Sequence, residues 1–274
     1  MKIGLFGINM GPCAEPEALT RIGGLAEDLG YHRLWLGEHV VAPSPRVPPS
    51  PMDPDLPILD PLLALAHLAA VTRRVRLATG IVVLPQRNPV VLAKQLATLD
   101  VLSGGRLDLG VGVGYLEPEM TAVGVPMAGR GARADEHLAA MKALWEMPEP
   151  AFHGEHVSFS GVDAHPRPRQ RPVPVYVGGH SVTARRRAAR HQGWYGFMLD
   201  RRQTADQVAG LPPGIEVVVT PSERLDPDVV ADYAESGVHE LAVCPPARHW
   251  RPGVPVDAWE EFVRVNAPST HVGR

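Results

Sequence analysis

The fold class follows from residues 75–112, which read VRLATGIVVLPQRNPVVLAKQLATLDVLSGGRLDLGVG. The apolar run over 75–84 predicts a buried strand, which Thr79-Gly80 interrupts near its middle. The pattern over 89–102 predicts a helix that stops at Ser103-Gly104-Gly105, and 106–112 predicts the next strand. A strand, a helix and a second strand in this order form the repeating unit of a parallel sheet.

The same alternation extends along the whole chain. Its strands read as continuous apolar runs, as expected for parallel strands that are buried on both faces. The predicted strands cover 3–8, 33–36, 75–84, 106–112, 173–177, 194–198, 215–219 and 240–243. The predicted helices cover 16–29, 61–71, 89–102, 132–145, 181–191, 204–209, 227–236 and 257–265.

About eight strand–helix units in 274 residues predict an α/β fold, a single (β/α)8 TIM barrel. The competing architecture is an open doubly wound sheet with a small second domain. No composition break or linker separates two domains, so we expect one barrel domain over residues 1–274. Two segments depart from the repeat: a Pro-rich loop over 42–61 after strand 2, and an insertion over 148–172 before strand 5 with a hairpin around 157–159.

Composition excludes several classes of protein. A net charge of −3 gives no reason to expect nucleic acid or an anionic membrane as a partner. No apolar run reaches the roughly 18 residues of a membrane span, and the N-terminus reads as a strand rather than a signal peptide. Only Cys13 and Cys244 occur, which argues against a disulfide framework or a cysteine zinc site. We therefore expect a cytoplasmic protein.

The ends of the predicted strands carry the functional residues of such a barrel. Gly178-Gly179-His180-Ser181 follows strand 5, and its glycines allow a phosphate to approach the backbone at a helix start. Positive charge on the same helix would add to the attraction, from Arg185, Arg186, Arg187 and Arg190. The alternative is a tight strand–helix turn followed by a solvated basic face.

Gly110-Val111-Gly112-Val113-Gly114 ends strand 4 and superficially resembles a dinucleotide fingerprint. Its third glycine is misplaced, and Glu117-Pro118-Glu119 predicts that no helix opens directly after it. The alternating glycines suit a flat ligand lying against the backbone at the barrel mouth. They equally suit small residues filling a tapering barrel interior.

His39 follows Glu38 at the end of strand 2. A histidine there can exchange a proton near neutral pH, and a carboxylate could hold its tautomer. Neighbours in a strand point to opposite faces, which argues against a contact between Glu38 and His39. A structural histidine is the alternative. His153-Gly154-Glu155-His156 lacks metal-ligand spacing, and we expect no metal site.

Several motifs in consistent order over about residues 3–200 resemble those of the bacterial luciferase-like superfamily. The chain is most similar to the actinobacterial branch that uses the deazaflavin coenzyme F420. The motifs are Leu34-Trp35-Leu36-Gly37-Glu38-His39, Thr79-Gly80-Ile81 with the following turn to Pro89, Lys94-Gln95-Leu96-Ala97-Thr98-Leu99-Asp100, Ser103-Gly104-Gly105-Arg106, the glycine run of strand 4, and Tyr176-Val177-Gly178-Gly179-His180-Ser181.

The resemblance implies a cofactor ring in the barrel mouth and a non-proline cis peptide near Thr79-Gly80-Ile81. It also implies that Gly178 and Gly179 hold the cofactor phosphate and that His39 lies beside the reactive ring carbon. Tyr115 stands where sugar-phosphate dehydrogenases of this branch carry a glutamate, which argues against that substrate class. The predicted catalytic residues are His39 and Tyr115. The predicted cofactor residues are Glu38, His39, Thr79, Gly80, Ile81, Gly112, Val113, Gly114, Gly178, Gly179, His180 and Ser181.

Three functions are compatible with these residues. The first is an oxidoreductase that transfers a hydride between coenzyme F420 and a small organic substrate. The second is an FMN-dependent luciferase-like monooxygenase, and the third is a flavin- or deazaflavin-binding protein without turnover. We expect a small-molecule substrate and a homodimer.

Overall fold

Eight parallel strands close into a barrel in the computed structural model, which describes residues 1–251 and 253–271. Each strand pairs with its neighbour along the chain, and the last pairs with the first through Ile3 and Leu241. The predicted (β/α)8 barrel is therefore confirmed. The strands are β1 Lys2–Phe6, β2 Arg33–Leu36, β3 Arg76–Thr79 with its continuation Val82–Val83, β4 Leu107–Gly112, β5 Val175–Gly178, β6 Gly193–Leu199, β7 Glu216–Pro221 and β8 Glu240–Val243.

Helices lie between the strands, and several begin where the sequence supplies a capping side chain. Asp60 accepts hydrogen bonds from the first backbone N–H groups of the second helix, and Asn88 does the same for the third. The helices are α1 Pro16–Asp28, α2 Pro61–Val71, α3 Pro89–Leu102, α4 Glu117–Ala122, α5 Arg130–Glu146, α6 Val182–Ala188, α7 Arg201–Val208, α8 Pro227–Glu235, α9 Val256–Val265 and α10 Pro268–His271.

One prediction about these elements is wrong. The segment after β4 was expected to block a helix, whereas α4 begins at Glu117 itself. Pro118 lies in the first turn of this helix, where a backbone N–H would have no intrahelical partner. The proline therefore starts the helix instead of breaking it.

The two predicted departures from the strand–helix repeat are both present. The Pro-rich loop separates β2 from α2, and the insertion before β5 carries a two-stranded hairpin of Phe152–His153 with Ser158–Phe159. Cys13 and Cys244 are free thiols, and burial raises the pKa of each to about 12. In residues 1–251 and 253–271, every helix is too short or too polar to cross a bilayer.

The barrel interior contains a buried ion network at its N-terminal end. The guanidinium of Arg33 lies 2.7 Å from Asp108 and 3.0 Å from Glu240, and all three side chains are at most 2% exposed. Gly4 on β1 makes room for this network, because a Cβ there would lie 2.4 Å from a Glu240 carboxylate oxygen. Because these charges are buried, the stability of the fold depends on each of them keeping a partner of opposite charge.

Candidate active site

Aromatic side chains form the floor of the barrel mouth, above the ion network. Trp35 stacks on Tyr195 with ring centroids 4.8 Å apart, and Phe197 lies 5.0 Å from Phe6. The Tyr195 hydroxyl is satisfied by Thr220 at 2.6 Å, so this layer needs no water. Phe197 is 38% exposed and therefore presents an apolar ring to the mouth.

The glycines of β4 make room for part of the protein itself. A Cβ at Gly112 would lie 2.4 Å from the Ile81 side chain, and one at Gly110 would lie 2.0 Å from the Thr79 carbonyl oxygen. The peptide bond Gly80–Ile81 is cis, as the resemblance implied. Thr79 is buried and donates its hydroxyl to the Gly110 carbonyl at 2.6 Å. Thr79 and Ile81 thus fill the space over Gly110 and Gly112. This favours packing of the barrel interior, and not contact with a flat ligand, as the reason for the alternating glycines.

The last residues of the glycine run form the turn out of β4. Gly114 has a φ of +79°, which a side chain rarely adopts, and its carbonyl accepts from Arg130 Nε at 3.1 Å. Val113 is half-buried and packs against the main core. Both residues lie at the mouth as predicted, and a direct contact with a cofactor stays a prediction.

His39 stands at the mouth and has a carboxylate partner that the sequence did not reveal. Its Nδ1 lies 3.0 Å from Glu119 Oε2, while Glu119 Oε1 accepts from the Val40 backbone N–H at 2.6 Å. On the other side, His39 Nε2 lies 3.5 Å from the Tyr115 hydroxyl. The structure thus brings the two predicted catalytic residues together and adds Glu119 of α4 as a partner of His39.

Tyr115 is half exposed at the same mouth. Burial, and then the nearby Glu119 charge, raises the pKa of Tyr115 above its usual range. Its hydroxyl therefore keeps its proton at neutral pH and can donate a hydrogen bond to His39 or to a ligand.

The Glu38 carboxylate contacts the segment after β3 and not His39. Its carboxylate accepts from Arg87 Nε at 2.8 Å and from the Val83 backbone N–H at 2.6 Å. Arg87 also binds Asp60, the cap of α2. Glu38 therefore ties the end of β2 to the segment after β3, and its side chain is 1% exposed. The carboxylate that pairs with His39 is Glu119 and not Glu38.

The predicted phosphate loop is open to solvent at Gly179, His180 and Ser181. Gly179 has a φ of +115°, and Ser181 caps α6 by accepting from the Ala184 N–H at 3.1 Å. His180 Nε2 accepts from the Phe197 backbone N–H at 3.2 Å. Partial burial of the ring, and then the Arg185 charge, lowers the pKa of His180, which favours the neutral form of the ring.

Asp135 offsets part of the positive potential expected from the arginines of α6. Arg187 and Arg190 both pair with Asp135 of α5, at 2.7 and 2.8 Å. Arg185 instead donates to the His180 carbonyl at 2.9 Å and supports the loop directly. One carboxylate against four guanidinium groups leaves most of the predicted positive charge in place, including that of Arg185 and of the exposed Arg186.

Two site residues were missed at the sequence level. Glu119 was missed because Glu117-Pro118-Glu119 predicted no helix at this point, so nothing placed its side chain beside His39. Met198 follows Phe197 at the end of β6 and has a φ of 55°, a left-handed conformation that non-glycine residues rarely adopt. Such conformations cluster at ligand sites, and Met198 is 46% exposed at the mouth.

Comparisons with known proteins identify the family of the chain. The family model of luciferase-like monooxygenases matches residues 6–229. The chain belongs to this family. It is 35% identical over 252 residues to an uncharacterised protein of Mycobacterium tuberculosis, covering 85% of this chain and 88% of that protein.

Two solved structures are similar to this luciferase-like chain over nearly its whole length. A monooxygenase from Streptomyces bottropensis is 25% identical with a TM-score of 0.77, covering 99% of this chain and 98% of that one. An F420-dependent secondary alcohol dehydrogenase, solved with an F420–acetone adduct, is 16% identical with a TM-score of 0.72, covering 95% and 97%. At that identity the second likeness shows the fold alone. The chain thus belongs to a family of luciferase-like oxidoreductases and monooxygenases.

Replacing Gly179 by valine tests the predicted phosphate loop of this luciferase-like protein. The backbone φ of +115° disfavours any side chain, and the added Cβ would lie 3.2 Å from the Ala184 Cβ. We expect roughly tenfold weaker cofactor binding or more, equivalent to about 1.4 kcal/mol, in an equilibrium titration.

The matched control is Gly161→Val, since Gly161 has a φ of +67° and open space around it in the insertion. It carries a similar backbone strain but should bind cofactor normally. If Gly179→Val also binds normally, the anion site lies elsewhere, for example in the loops after β7 and β8.

Proposed function

We propose that this luciferase-like protein is an oxidoreductase that transfers a hydride between coenzyme F420 and a small organic substrate. The observation that supports it most directly is the arrangement of Glu119, His39 and Tyr115 at one side of the mouth. A substrate carbon that gains or loses a hydride usually has a neighbouring oxygen or nitrogen that must gain or lose a proton. His39 is a side chain suited to that proton transfer.

The residues at the mouth fit a planar cofactor with an anionic tail. The exposed parts of Phe197 and Met198 offer an apolar surface to a ring, and the opposite loop exposes Gly179 and Ser181 at the start of α6. Gly178, Gly179 and Ser181 would hold the phosphate, and the Ile81 segment would support the ring. A bound deazaflavin supplies the hydride chemistry that amino-acid side chains lack.

The chain's own residues then do three things. The aromatic layer of Trp35, Tyr195 and Phe197 keeps water out of the barrel beneath the ring. His39 Nε2 exchanges the proton with the substrate heteroatom. Tyr115 donates a hydrogen bond at the same place and orients the substrate.

An FMN-dependent monooxygenase is the second candidate. It is favoured by the likeness to the Streptomyces bottropensis monooxygenase, which covers 99% of this chain. The same mouth would then shelter reduced FMN and exclude water during its reaction with oxygen.

A turnover screen separates the candidates. Oxidised F420 is mixed with a panel of alcohols and reduced F420 with a panel of carbonyl compounds, without oxygen, and cofactor absorbance is followed. Turnover in either direction supports the proposal. Oxygen consumption with reduced FMN and none of the F420 reactions would instead indicate the monooxygenase. Binding without turnover in any mixture would indicate a flavin- or deazaflavin-binding protein that is not an enzyme.

A further inference from the structure

We propose that Glu119 is a positioning residue: it fixes His39 in the tautomer that carries hydrogen on Nδ1 and directs the Nε2 lone pair toward Tyr115 at the mouth. Neither the motifs nor the relatives assign a role to Glu119. The inference deepens the proposed function, on which it rests only for what Nε2 then does to a substrate.

The contacts of Glu119 leave it little freedom. It lies in the first turn of α4, it is 3% exposed, and each of its two carboxylate oxygens has a partner on the loop after β2. Oε1 accepts from the Val40 backbone N–H at 2.6 Å, and Oε2 lies 3.0 Å from His39 Nδ1. The side chain therefore braces that loop and contacts the imidazole at once.

The tautomer follows from the donors and acceptors. A carboxylate only accepts hydrogen bonds, so the ring nitrogen that faces it carries the hydrogen. In a neutral imidazole the other nitrogen is then an acceptor. His39 Nε2 faces the Tyr115 hydroxyl at 3.5 Å, and that hydroxyl has a hydrogen to donate. Nε2 is therefore ready to take a proton from a substrate, and the imidazolium that forms stays paired with Glu119.

An isosteric substitution should reverse this arrangement. In Glu119→Gln the amide has one oxygen and one NH2 group, and the Val40 N–H can only donate. The oxygen therefore stays on Val40, and the NH2 group faces His39 Nδ1, which must then accept. The hydrogen moves to Nε2, so the nitrogen that faces the mouth changes from acceptor to donor.

The tautomer can be observed in the cofactor-free protein from the ¹⁵N NMR shifts of its histidines. The protein has 12 histidines, and His39 is assigned by the peaks that disappear in His39→Asn. We expect hydrogen on Nδ1 in the unchanged protein and on Nε2 in Glu119→Gln. The matched control is Glu117→Gln. Glu117 is an exposed carboxylate two residues before Glu119 in the same helix, and its substitution should leave the His39 signals unchanged.

Turnover gives the second readout. Glu119→Gln should be slower by roughly 10²-fold or more with little change in cofactor affinity, because the wrong tautomer cannot accept the proton. Glu119→Asp keeps a carboxylate and should recover part of that loss.

The outcomes separate this inference from the proposed function. Hydrogen on Nε2 in the unchanged protein, or an unmoved tautomer in Glu119→Gln, overturns the role of Glu119 whatever the cofactor is. If Glu119→Gln does not fold, the tautomer of His39 in the unchanged protein still tests the inference, because hydrogen on Nε2 there would overturn it. A correct tautomer with no F420 turnover would instead leave Glu119 as the positioning residue and reject the F420 assignment.

Discussion

His39→Ala is expected to lower turnover by roughly 10²–10⁴-fold, the range for loss of a positioned general acid or base. The imidazole is the group at the mouth whose two nitrogens contact a buried carboxylate and an exposed hydroxyl. Alanine removes the proton acceptor but leaves the phosphate loop after β5 and the aromatic floor intact. Cofactor affinity should therefore change much less than turnover, and the pH–rate profile should lose one limb.

Two further variants sharpen this experiment. His39→Asn keeps some hydrogen bonding and should bind cofactor while staying slow. His153→Ala removes an exposed histidine of the hairpin, whose partner is Ser158, and should leave turnover unchanged. Near-normal turnover in both His39 variants would contradict a proton-transfer role. A loss confined to cofactor affinity would make His39 a ring-positioning residue and Tyr115 the better acid.

Arg33→Met should destabilise the fold by about 3–5 kcal/mol, the usual result of removing one partner of a buried ion pair. Arg33 is paired with Asp108 and Glu240 and lies over the Trp35 and Tyr176 rings at 4.9 and 4.7 Å. Asp108 keeps Arg76 at 2.6 Å in the variant. Glu240 keeps a hydrogen bond from Trp35 and the His32 ring at 3.9 Å, and burial lowers the pKa of His32 to about 4. A buried carboxylate without a charged partner at neutral pH therefore accounts for most of the loss.

Chemical unfolding measures this effect, with Lys142→Met as the control. Lys142 forms an exposed pair with Glu146 at 3.7 Å, and its loss should cost about 0.3–0.5 kcal/mol. Arg33→Met combined with Glu240→Gln should recover part of the stability, because the uncompensated charge is gone. A double variant as unstable as the single one would show that packing, and not charge, dominates.

The pH dependence of Arg33→Met has a definite sign. Burial raises the pKa of Glu240, and in the unchanged protein Arg33 opposes that shift. Without Arg33, the folded protein binds the Glu240 proton more tightly than the unfolded chain, whose pKa is about 4.3. Stability of the variant, relative to the unchanged protein, should therefore be lowest at neutral pH and improve as pH falls through the raised pKa.

The barrel could be predicted from the sequence because each of its strands is a short apolar run followed by a helical pattern. The helices over Pro61–Val71 and Pro89–Leu102 match their predicted bounds, since Asp60 and Asn88 mark their starts. Helix α4 was missed because proline was treated as a breaker. In a first turn the missing N–H has no cost, and only the local geometry distinguishes the two cases.

The candidate site was predicted only in part. Strand ends identified His39 and Tyr115, because the fold rule itself brings such ends to one face. The pairing of His39 with Glu119 joins residues 80 apart, and nothing local in either segment specifies it. For the same reason Asp135, 52 residues before Arg187, could not be recognised as the partner of Arg187 and Arg190.

The assignment of the cofactor is tested most directly by equilibrium titration of the purified protein with coenzyme F420 and with FMN, each in oxidised and reduced form. F420 should bind more tightly than FMN in at least one redox state. Gly179→Val should weaken that binding, and Gly161→Val should not. FMN binding that is equal or tighter in both redox states would contradict the assignment and move the protein to the flavin-dependent monooxygenases.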